Sequence, residues 1–368
     1  MKILINYLGK SNGGPVTAFA ISKSLSEIGN EVYVLLSKNI CNKEQWDEYS
    51  GFKKVVYIDT YTNKSSFILN TIKFWFNKKK VLCKNFSGIS FDMIFNPQHH
   101  MWSTMVCKCF KNVLIVSISH DPIAHEGESK IETFVTAHLM KISDYIIVLT
   151  KKFIPIIKEK YKKPDQNILY MPHGVSDMYK RVNIKKNIYE NDNNWHFLFF
   201  GRIEEYKGVD ILVDAFLKLE KECNNIDLYI VGKGVIKNEN LSESKNIHII
   251  NEYIDDKDVG NFFDNERVIV VLPYISASQS GVIAVALLYG NVIIASDVGG
   301  LKEQLGDGKA GIFTQPGNAD ELYRKMKEVI YNNALFSEQK NNIELIAKQM
   351  DWKYLLENVM KDICDDNE

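Results

Sequence analysis

The stretch Phe197–Gly208, FLFFGRIEEYKG, decides the fold of this chain. Its apolar run and the glycine that follows predict a buried strand that enters a tight turn. Arg202 and Lys207 come next, and the segment 209–222 then has the apolar spacing of a helix. Two cations are therefore expected on an exposed loop between a strand and a helix. Ligands of open α/β sheets bind at the carboxyl ends of strands, where an arginine and a lysine suit a diphosphate.

Three further strands are predicted in the same half of the chain, and each ends in glycine or in a small polar loop. They are 227–234 (DLYIVGKG), 267–281 (RVIVVLPYISASQSG) and 292–300 (VIIASDVGG). Glu303 follows shortly after the last of them. Repeated strand ends of this kind indicate a sheet whose ligand lies along one edge.

This order of motifs resembles the C-terminal half of family-4 glycosyltransferases of the GT-B fold. The family pattern is strand–G-R-x3-4-K-G–helix, a G-x-G strand end, a donor loop, and a strand that ends in GG-x-x-E. It covers roughly Trp195 to Tyr331 of this chain with good motif density. The resemblance implies an α/β protein of two Rossmann-like, doubly wound parallel-sheet domains that face a cleft, with the donor nucleotide on the C-terminal domain.

Composition sets limits on the class of protein. A chain of 368 residues predicts about two domains, and 45% hydrophobic with 25% charged residues is ordinary for a globular protein. The net charge of −1 gives no indication of nucleic-acid binding. The six cysteines have no zinc spacing, so we expect reduced thiols. Because residues 1–7 predict a strand, we expect no signal peptide, and no apolar run approaches the about 20 residues that span a bilayer.

The N-terminal half also alternates strands and helices, which predicts a parallel sheet. The predicted strands are 2–7, 31–36, 54–58, 92–95, 113–118 and 145–149. The segment 168–175, ILYMPHGV, predicts the end of the first domain, with His173 where similar enzymes carry asparagine.

These boundaries give four parts of the chain. They are an acceptor domain over 1–175, a linker over 176–194, a nucleotide-sugar domain over 195–340, and a helix over 341–368 that crosses back to the first domain.

Arg202 and Lys207 are the first catalytic candidates, because they would stabilise charge on a departing diphosphate. The adjacent glutamates 204 and 205 could instead neutralise them.

Gly13 and Gly14 follow the first strand, where free N–H groups and the start of a helix suit a phosphate. An ordinary turn is the alternative. Gly232 is a further candidate for substrate binding. The G-x-G-x-x-G fingerprint of nicotinamide dinucleotide sites does not occur at the first strand end.

The chain departs from the family at the donor loop. Relatives carry two glutamates eight residues apart, which contact the sugar and the ribose, and the matching positions here are Ala277 and Val285. Polar donors remain at a predicted helix N-terminus, where they suit phosphate. They are Ser278, Gln279, Ser280 and Gly281. Glu303 is a candidate to take over the ribose contact.

His120 is the third catalytic candidate, because the resemblance implies a histidine beside the transferred sugar. Asp121 or Glu126 is expected to hold its tautomer, and Asp121 is also a candidate for substrate binding. A surface histidine capped by the aspartate is the alternative.

His99 and His100 predict a solvated turn more than a substrate site. With no third ligand at a familiar spacing, and only lone acidic pairs at 255–256 and 365–366, no metal or other cofactor is expected.

The segment Ser65–Phe86 mixes aromatic residues with lysines 73, 78, 79, 80 and 84. This composition suits an anionic membrane surface, and the alternative is a core helix with a solvated lysine face.

The resemblance implies glycosyl transfer, with retention, from a nucleoside diphosphate sugar to a glycan hydroxyl. We expect UDP or GDP in the donor, a glycan or lipid-linked glycan as acceptor, no nucleic-acid partner, and a cytoplasmic protein at the inner membrane surface. A non-catalytic scaffold and a sugar-phosphate synthase or glycogen-type enzyme are the alternatives.

Overall fold

The computed structural model describes residues 1–11, 13–122, 130–180, 188–189 and 193–366. The chain divides into two compact units. One consists of Met1–Pro172 with Trp352–Glu368, and the other of His173–Asp351. Much of the segment 176–194, predicted as a linker, lies outside the described residues.

The described part of the first unit contains a seven-stranded sheet. Its strands are β1 (Lys2–Tyr7), β2 (Glu31–Ser37), β3 (Lys54–Ile58), β4 (Met93–Asn96), β5 (Leu114–Ser119), β6 (Tyr145–Val148) and β7 (Ile168–Tyr170). The helices between them are α1 (Gly14–Glu27), α2 (Lys43–Glu48), α3 (Lys64–Phe86), α4 (Ser103–Cys107), α5 (Lys130–Ile142) and α6 (Ile154–Tyr161).

The strands of this sheet are parallel, in the order β3-β2-β1-β4-β5-β6-β7. The direction of the chain across the sheet reverses between β1 and β4. Loops that follow these two strands separate at the carboxyl edge, which is where open α/β sheets bind ligands. Gly13 and Gly14 follow β1, and the histidines 99 and 100 follow β4.

The second unit repeats this arrangement with a six-stranded sheet in its described part. Its strands are β8 (Trp195–Phe200), β9 (Ile226–Val231), β10 (Ile247–Ile250), β11 (Val268–Leu272), β12 (Val292–Ser296) and β13 (Ile312–Thr314). Its helices are α7 (Val209–Glu220), α8 (Asp256–Val259), α9 (Gly281–Tyr289), α10 (Leu301–Gln304), α11 (Ala319–Tyr331) and α12 (Asn333–Gln349). The order β10-β9-β8-β11-β12-β13 places the reversal between β8 and β11.

Burial explains which strands the sequence predicted. The central strands β8, β9, β11 and β12 are almost wholly buried and mostly apolar, as expected for parallel strands covered on both faces. The strands β10 and β13 lie at the two edges of the sheet and have no such run, so they were not predicted.

The helix predicted over 341–368 is two helices in the structure, α12 and α13 (Trp352–Asp365). The chain is interrupted at Met350 and Asp351, where the Met350 carbonyl accepts a hydrogen bond of 2.7 Å from the Val175 N–H. Helix α13 belongs to the first unit and packs against α1, with Trp352 buried.

Among the described residues, no helix is both long and apolar enough to cross a membrane. The longest, α3, has 23 residues and includes lysines along its second half.

Two glycines with the same backbone geometry differ in their surroundings. Gly208 has a φ of +66° where α7 begins, and Gly290 has a φ of +67° where α9 ends. A Cβ atom at 208 would lie 2.0 Å from the carbonyl oxygen of Pro273, whereas a Cβ at 290 would have no heavy atom within 4 Å. The loop after β8 is therefore pressed against the end of β11.

We predict that Gly208→Ala destabilises the protein more than its matched control, Gly290→Ala. Both variants incur about 1–2 kcal/mol of backbone strain from the left-handed φ. Only Gly208→Ala adds a clash with a buried backbone carbonyl, so its loss should exceed that of the control by about 2 kcal/mol or more. Urea unfolding followed by circular dichroism measures both. Equal losses would mean that the contact at Pro273 relaxes without cost.

Candidate functional site

The loops that follow β8 and β11 lie side by side at the carboxyl edge of the second sheet. The Tyr206 carbonyl, in the β8 loop, accepts a hydrogen bond of 2.7 Å from the N–H of Ile275 in the β11 loop. The contact between Gly208 and Pro273 lies in the same two loops. The switch point of this sheet thus brings together the predicted cations and the polar donor loop.

Glycines also join the ends of β9 and β12 to this edge. A Cβ at Gly232, which has a φ of +140°, would lie 1.9 Å from the Gly201 carbonyl oxygen. A Cβ at Gly299 would lie 1.6 Å from the Ala277 carbonyl oxygen. The N–H of Gly232 donates to the Ile250 carbonyl at 2.9 Å. Gly232, predicted to bind substrate, therefore has its N–H engaged, and the close backbone approach accounts for the glycine.

Arg202 and Lys207 have different electrostatic surroundings. The Arg202 side chain is 74% exposed, and its Nη1 lies 2.8 Å from Glu204 Oε1. Glu205 pairs instead with Lys237, at 2.8 Å. Of the two glutamates that could neutralise the predicted cations, Glu204 therefore pairs with Arg202, and Glu205 pairs with Lys237. Lys207 forms no ion pair with any described residue.

Lys207 is half-buried, and not exposed as the sequence predicted. It lies in a 3-10 turn, Glu205–Lys207, with its Nζ 5.3 Å from the centre of the Tyr274 ring. Burial, with the nearby Arg202 charge as a second cause, lowers the pKa of Lys207 to about 8, and the Glu204 charge offsets only part of this. A half-buried cation that forms no direct ion pair is costly to the fold, and a bound anion would satisfy it.

The donor loop leads into α9, whose N-cap is Ser280. Gln304 of α10 holds this residue: its Oε1 accepts from the Ser280 N–H at 2.7 Å, and its Nε2 donates to the Ser280 carbonyl at 3.2 Å. The Ser280 hydroxyl lies 3.3 Å from the Tyr274 hydroxyl. Ser280 was predicted to donate to phosphate, but its N–H is already used. Gln304 gave no signal in the sequence, because one buried amide in a short helix matches no motif.

The remaining groups of the loop are more open. Gly281 is the first residue of α9, no side chain caps the helix, and a Cβ at 281 would have no heavy atom within 4 Å. The Gln279 side chain has a buried Oε1 without a hydrogen-bond partner. Ser278 is half-buried, and its carbonyl accepts from the Gly300 N–H at 2.9 Å. Unmet polar capacity at a helix N-terminus is what an anionic or hydroxyl-bearing ligand would satisfy.

The two positions where the sequence resemblance led us to expect glutamates are apolar and packed. Val285 is buried in α9, and the Ala277 carbonyl lies against Gly299. Glu303 is half-buried in α10, next to Gln304. It is therefore a carboxylate on the short helix that follows β12 at this edge.

In the first unit, Gly13 and Gly14 lie at the start of α1, at the β1–β4 switch point. A Cβ at Gly14 would lie 2.4 Å from Gln98 Oε1 and 2.6 Å from the Tyr7 hydroxyl, whereas Gly13 faces open space. Packing therefore accounts for Gly14, and Gly13 leaves room for a ligand.

His120 is half-buried after β5, and its Nε2 donates to the Pro97 carbonyl at 2.8 Å. The carbonyl can only accept, so the neutral ring keeps its proton on Nε2 and presents a lone pair on Nδ1. Burial lowers the pKa of His120, and the hydrogen bond to the Pro97 carbonyl and the nearby Asp121 charge offset this only in part. The sequence predicted Asp121 or Glu126 as the partner of this ring; the structure shows Pro97, and Glu126 lies outside the described residues.

The sequence predicted a solvated turn at His99 and His100, but both side chains are half-buried. The His100 Nδ1 accepts from the Trp102 N–H at 3.1 Å, and its ring stacks on Tyr61 with centroids 5.5 Å apart. Burial and the Lys10 charge lower the pKa of His100 to about 3, so the ring is neutral. His99 Nε2 lies 3.7 Å from Glu132 Oε1. Within the described residues, no three His, Cys, Asp or Glu side chains form a group that could hold a metal ion.

The chain is similar to known proteins in both sequence and structure. Residues 180–350 match the model of the family described as Glycosyl transferases group 1. An uncharacterised glycosyltransferase of Methanocaldococcus jannaschii is 24% identical over an alignment of 370 residues, gaps included. The alignment covers 90% of this chain and 89% of the relative. The lipopolysaccharide 1,2-N-acetylglucosaminetransferase of Salmonella typhimurium is 25% identical over 235 residues, 59% of this chain and 60% of the relative.

The crystal structure of Anabaena HepE in complex with UDP superposes on the chain with a TM-score of 0.69 at 16% identity, covering 99% of this chain and 100% of that one. Together with the two parallel-sheet units, the likeness to solved structures shows that the chain has the GT-B fold. The family match and the relatives support a GT-B glycosyltransferase, and hence a transferase.

We predict that Lys207→Met raises the melting temperature at pH 7, because it removes a half-buried charge that forms no direct ion pair. The pKa of Lys207 is lowered from 10.5 to about 8 in the folded protein, so between these pH values the unfolded chain binds the extra proton. Wild-type stability should therefore rise with pH through this window, and the gain from Lys207→Met should shrink.

Thermal unfolding at pH 7 and pH 9.5 tests this, with Lys233→Met as the control at an exposed lysine of the neighbouring strand end. A melting temperature that falls in Lys207→Met at pH 7 would contradict the account of Lys207.

Proposed function

We propose that this protein transfers a sugar from a nucleoside diphosphate sugar to a hydroxyl of a growing bacterial surface glycan, with retention at the anomeric carbon. The observation that carries the proposal is Lys207, a half-buried cation that forms no ion pair with any described residue. It lies at the β8–β11 switch point, in the same turn region as the exposed Arg202. A diphosphate is the ligand chemistry that such a pair of cations suits.

Departure of the nucleoside diphosphate develops negative charge on the leaving group. Lys207 would stabilise that charge as a point cation in partly desolvated surroundings, and Arg202 would exchange its exposed pairing with Glu204 for phosphate oxygens. The two cations would do this in place of a metal ion. Gly281, at the uncapped start of α9, and Gln279 would bind other polar groups of the donor. Glu303 would contact the ribose in place of the missing family glutamate.

The donor is proposed to carry UDP or GDP, and the complex of Anabaena HepE with UDP supports UDP. The likeness to the Salmonella lipopolysaccharide enzyme supports a glycan acceptor, and a lipid-linked glycan fits a cytoplasmic protein that associates with the inner membrane. Nothing in the net charge of −1 favours a nucleic-acid partner.

His120 is proposed to act on the sugar side of the reaction. Its Nδ1 lone pair is available to accept a hydrogen bond from a sugar hydroxyl, because Nε2–H is held by the Pro97 carbonyl. Its lowered pKa keeps the ring neutral at pH 7. Gly13, with open space beside its backbone, and Asp121 would add contacts to substrate.

One observation favours a second candidate function, a non-catalytic nucleotide-binding or scaffolding homologue. Both positions of the family glutamate pair, Ala277 and Val285, lack a carboxylate. Hydrolysis and transfer assays with a panel of UDP and GDP sugars separate the two functions. Nucleotide binding without any turnover, over all donors and glycan acceptors, would favour the scaffold.

We predict that Arg202→Ala and Lys207→Ala each lower kcat/KM by about 10²-fold or more, because each removes charge stabilisation aimed at the leaving group. Radiolabelled sugar transfer measures the rate, and NMR of the first product determines the anomer. Lys233→Ala, at an exposed lysine of the next strand end, should keep the wild-type rate. An Arg202→Ala or Lys207→Ala variant that retains wild-type kcat/KM would refute the diphosphate assignment.

We also predict that His120→Ala lowers kcat by about 10²-fold or more and leaves nucleotide affinity almost unchanged. The physical reason is that His120 belongs to the first unit, whereas the proposed diphosphate site belongs to the second. Calorimetry with UDP and GDP measures the affinity, and the control is His138→Ala, at a half-buried histidine of α5 whose Nε2 lies 2.8 Å from Lys108 Nζ. An equal loss of nucleotide binding would instead give His120 a structural role.

A further inference from the structure

Helix α3 exposes a row of large apolar side chains on the side away from the core. The row consists of Ile68, Leu69, Ile72, Trp75 and Phe76. The spacing of three and four residues keeps them on one face, and Leu69 and Phe76 are 69% and 81% exposed. Single exposed apolar residues need no explanation, but a contiguous row marks an interaction surface.

The opposite face of α3 is anchored, so this row cannot turn inward. Phe74 is buried and stacks on Trp102, with ring centroids 4.5 Å apart and planes 7° apart. The Trp102 indole N–H donates to the Thr71 hydroxyl at 3.0 Å. The helix therefore has a core face and a separate, unpartnered apolar face.

The charge of α3 indicates what covers that face. Its sequence contains six lysines and no aspartate or glutamate, in a protein whose net charge is −1. Lysines 73, 78, 79, 80 and 84 form no ion pair within the described part of the chain. Lys78 Nζ lies 4.3 Å from the centre of the Trp75 ring, which places a cation beside an exposed indole. Apolar side chains bordered by unpaired lysines fit a surface that is both anionic and apolar.

Helix α5 carries two further exposed apolar side chains. Ile131 and Phe134 are exposed near its start, and α3 and α5 both pack against α4. We refer to the exposed apolar residues of α3, its lysines, and Ile131 with Phe134 as the α3–α5 surface.

We propose that the α3–α5 surface binds the surface of an anionic lipid bilayer. The apolar row would enter the boundary between headgroups and acyl chains, and the lysines would contact lipid phosphates. One turn of α3 is tied to the carboxyl edge of the first sheet, because Asn70 donates to the Thr60 carbonyl at 2.9 Å and Thr71 holds Trp102. Docking would bring this edge to the membrane, which suits a lipid-linked acceptor; this last step rests on the proposed function.

Flotation of the full-length protein with vesicles tests the proposal. We expect binding to vesicles of phosphatidylglycerol and phosphatidylcholine, weaker binding at high salt, and little binding to phosphatidylcholine alone. Leu69→Gln and Lys80→Glu should each lower the partition coefficient by about tenfold or more. The matched controls are Leu345→Gln, at an exposed leucine of α12, and Lys361→Glu, at an exposed lysine of α13, and both should bind as the wild type does.

Tryptophan emission gives an independent readout. Trp75 is 57% exposed, whereas the other four tryptophans are buried or half-buried. Its emission should shift to shorter wavelength on addition of anionic vesicles, and Trp75→Phe should abolish the shift.

Three outcomes would overturn the proposal. They are equal binding to neutral and anionic vesicles, wild-type binding by Leu69→Gln, and a lipid-free dimer that Leu69→Gln converts to monomer, which would make the partner a second copy. UDP binding is measured on each variant and should not change. A protein that binds anionic vesicles but transfers no sugar would refute the proposed function and leave the docking surface intact.

Discussion

Close backbone approach at the carboxyl edge of the second sheet is the constraint on which the candidate donor site depends. Gly201 meets Gly232, Gly208 meets Pro273, and Gly299 meets Ala277, each at a separation that excludes a Cβ atom. These contacts join the ends of β8, β9, β11 and β12. Because the loops are held against one another, two cations and a helix N-terminus lie in one place.

That assembly leaves one charge unbalanced. The neighbouring glutamates pair with Arg202 and Lys237, so Lys207 stays half-buried without a direct ion pair among the described residues. An apolar residue at this position would cost less stability, and the proposed binding of a diphosphate accounts for the charge. Stability and the proposed ligand binding thus oppose each other at this position, and both can be measured on the same variant.

The donor loop is held in place by a side chain of the neighbouring helix α10. Its N-cap residue, Ser280, is fixed by the side-chain amide of Gln304, which bonds both its N–H and its carbonyl. Rigidity therefore comes from a neutral amide in α10. A neutral amide opposes the field of Lys207 and Arg202 less than a carboxylate would, which suits the proposed binding of a diphosphate.

The sequence by itself determined the two parallel sheets, because β8, β11 and β12 are apolar runs that only a sheet covered on both faces can bury. It also determined that Arg202 and Lys207 follow a strand. Only the tertiary structure decided the edge strands β10 and β13, which are too short or too exposed to leave a pattern. The same holds for the bonds from His120 to Pro97 and from Gln304 to Ser280. Each of these bonds joins residues more than twenty positions apart. Local sequence patterns cannot predict such bonds, because only the fold determines which distant carbonyl or N–H lies within hydrogen-bond distance.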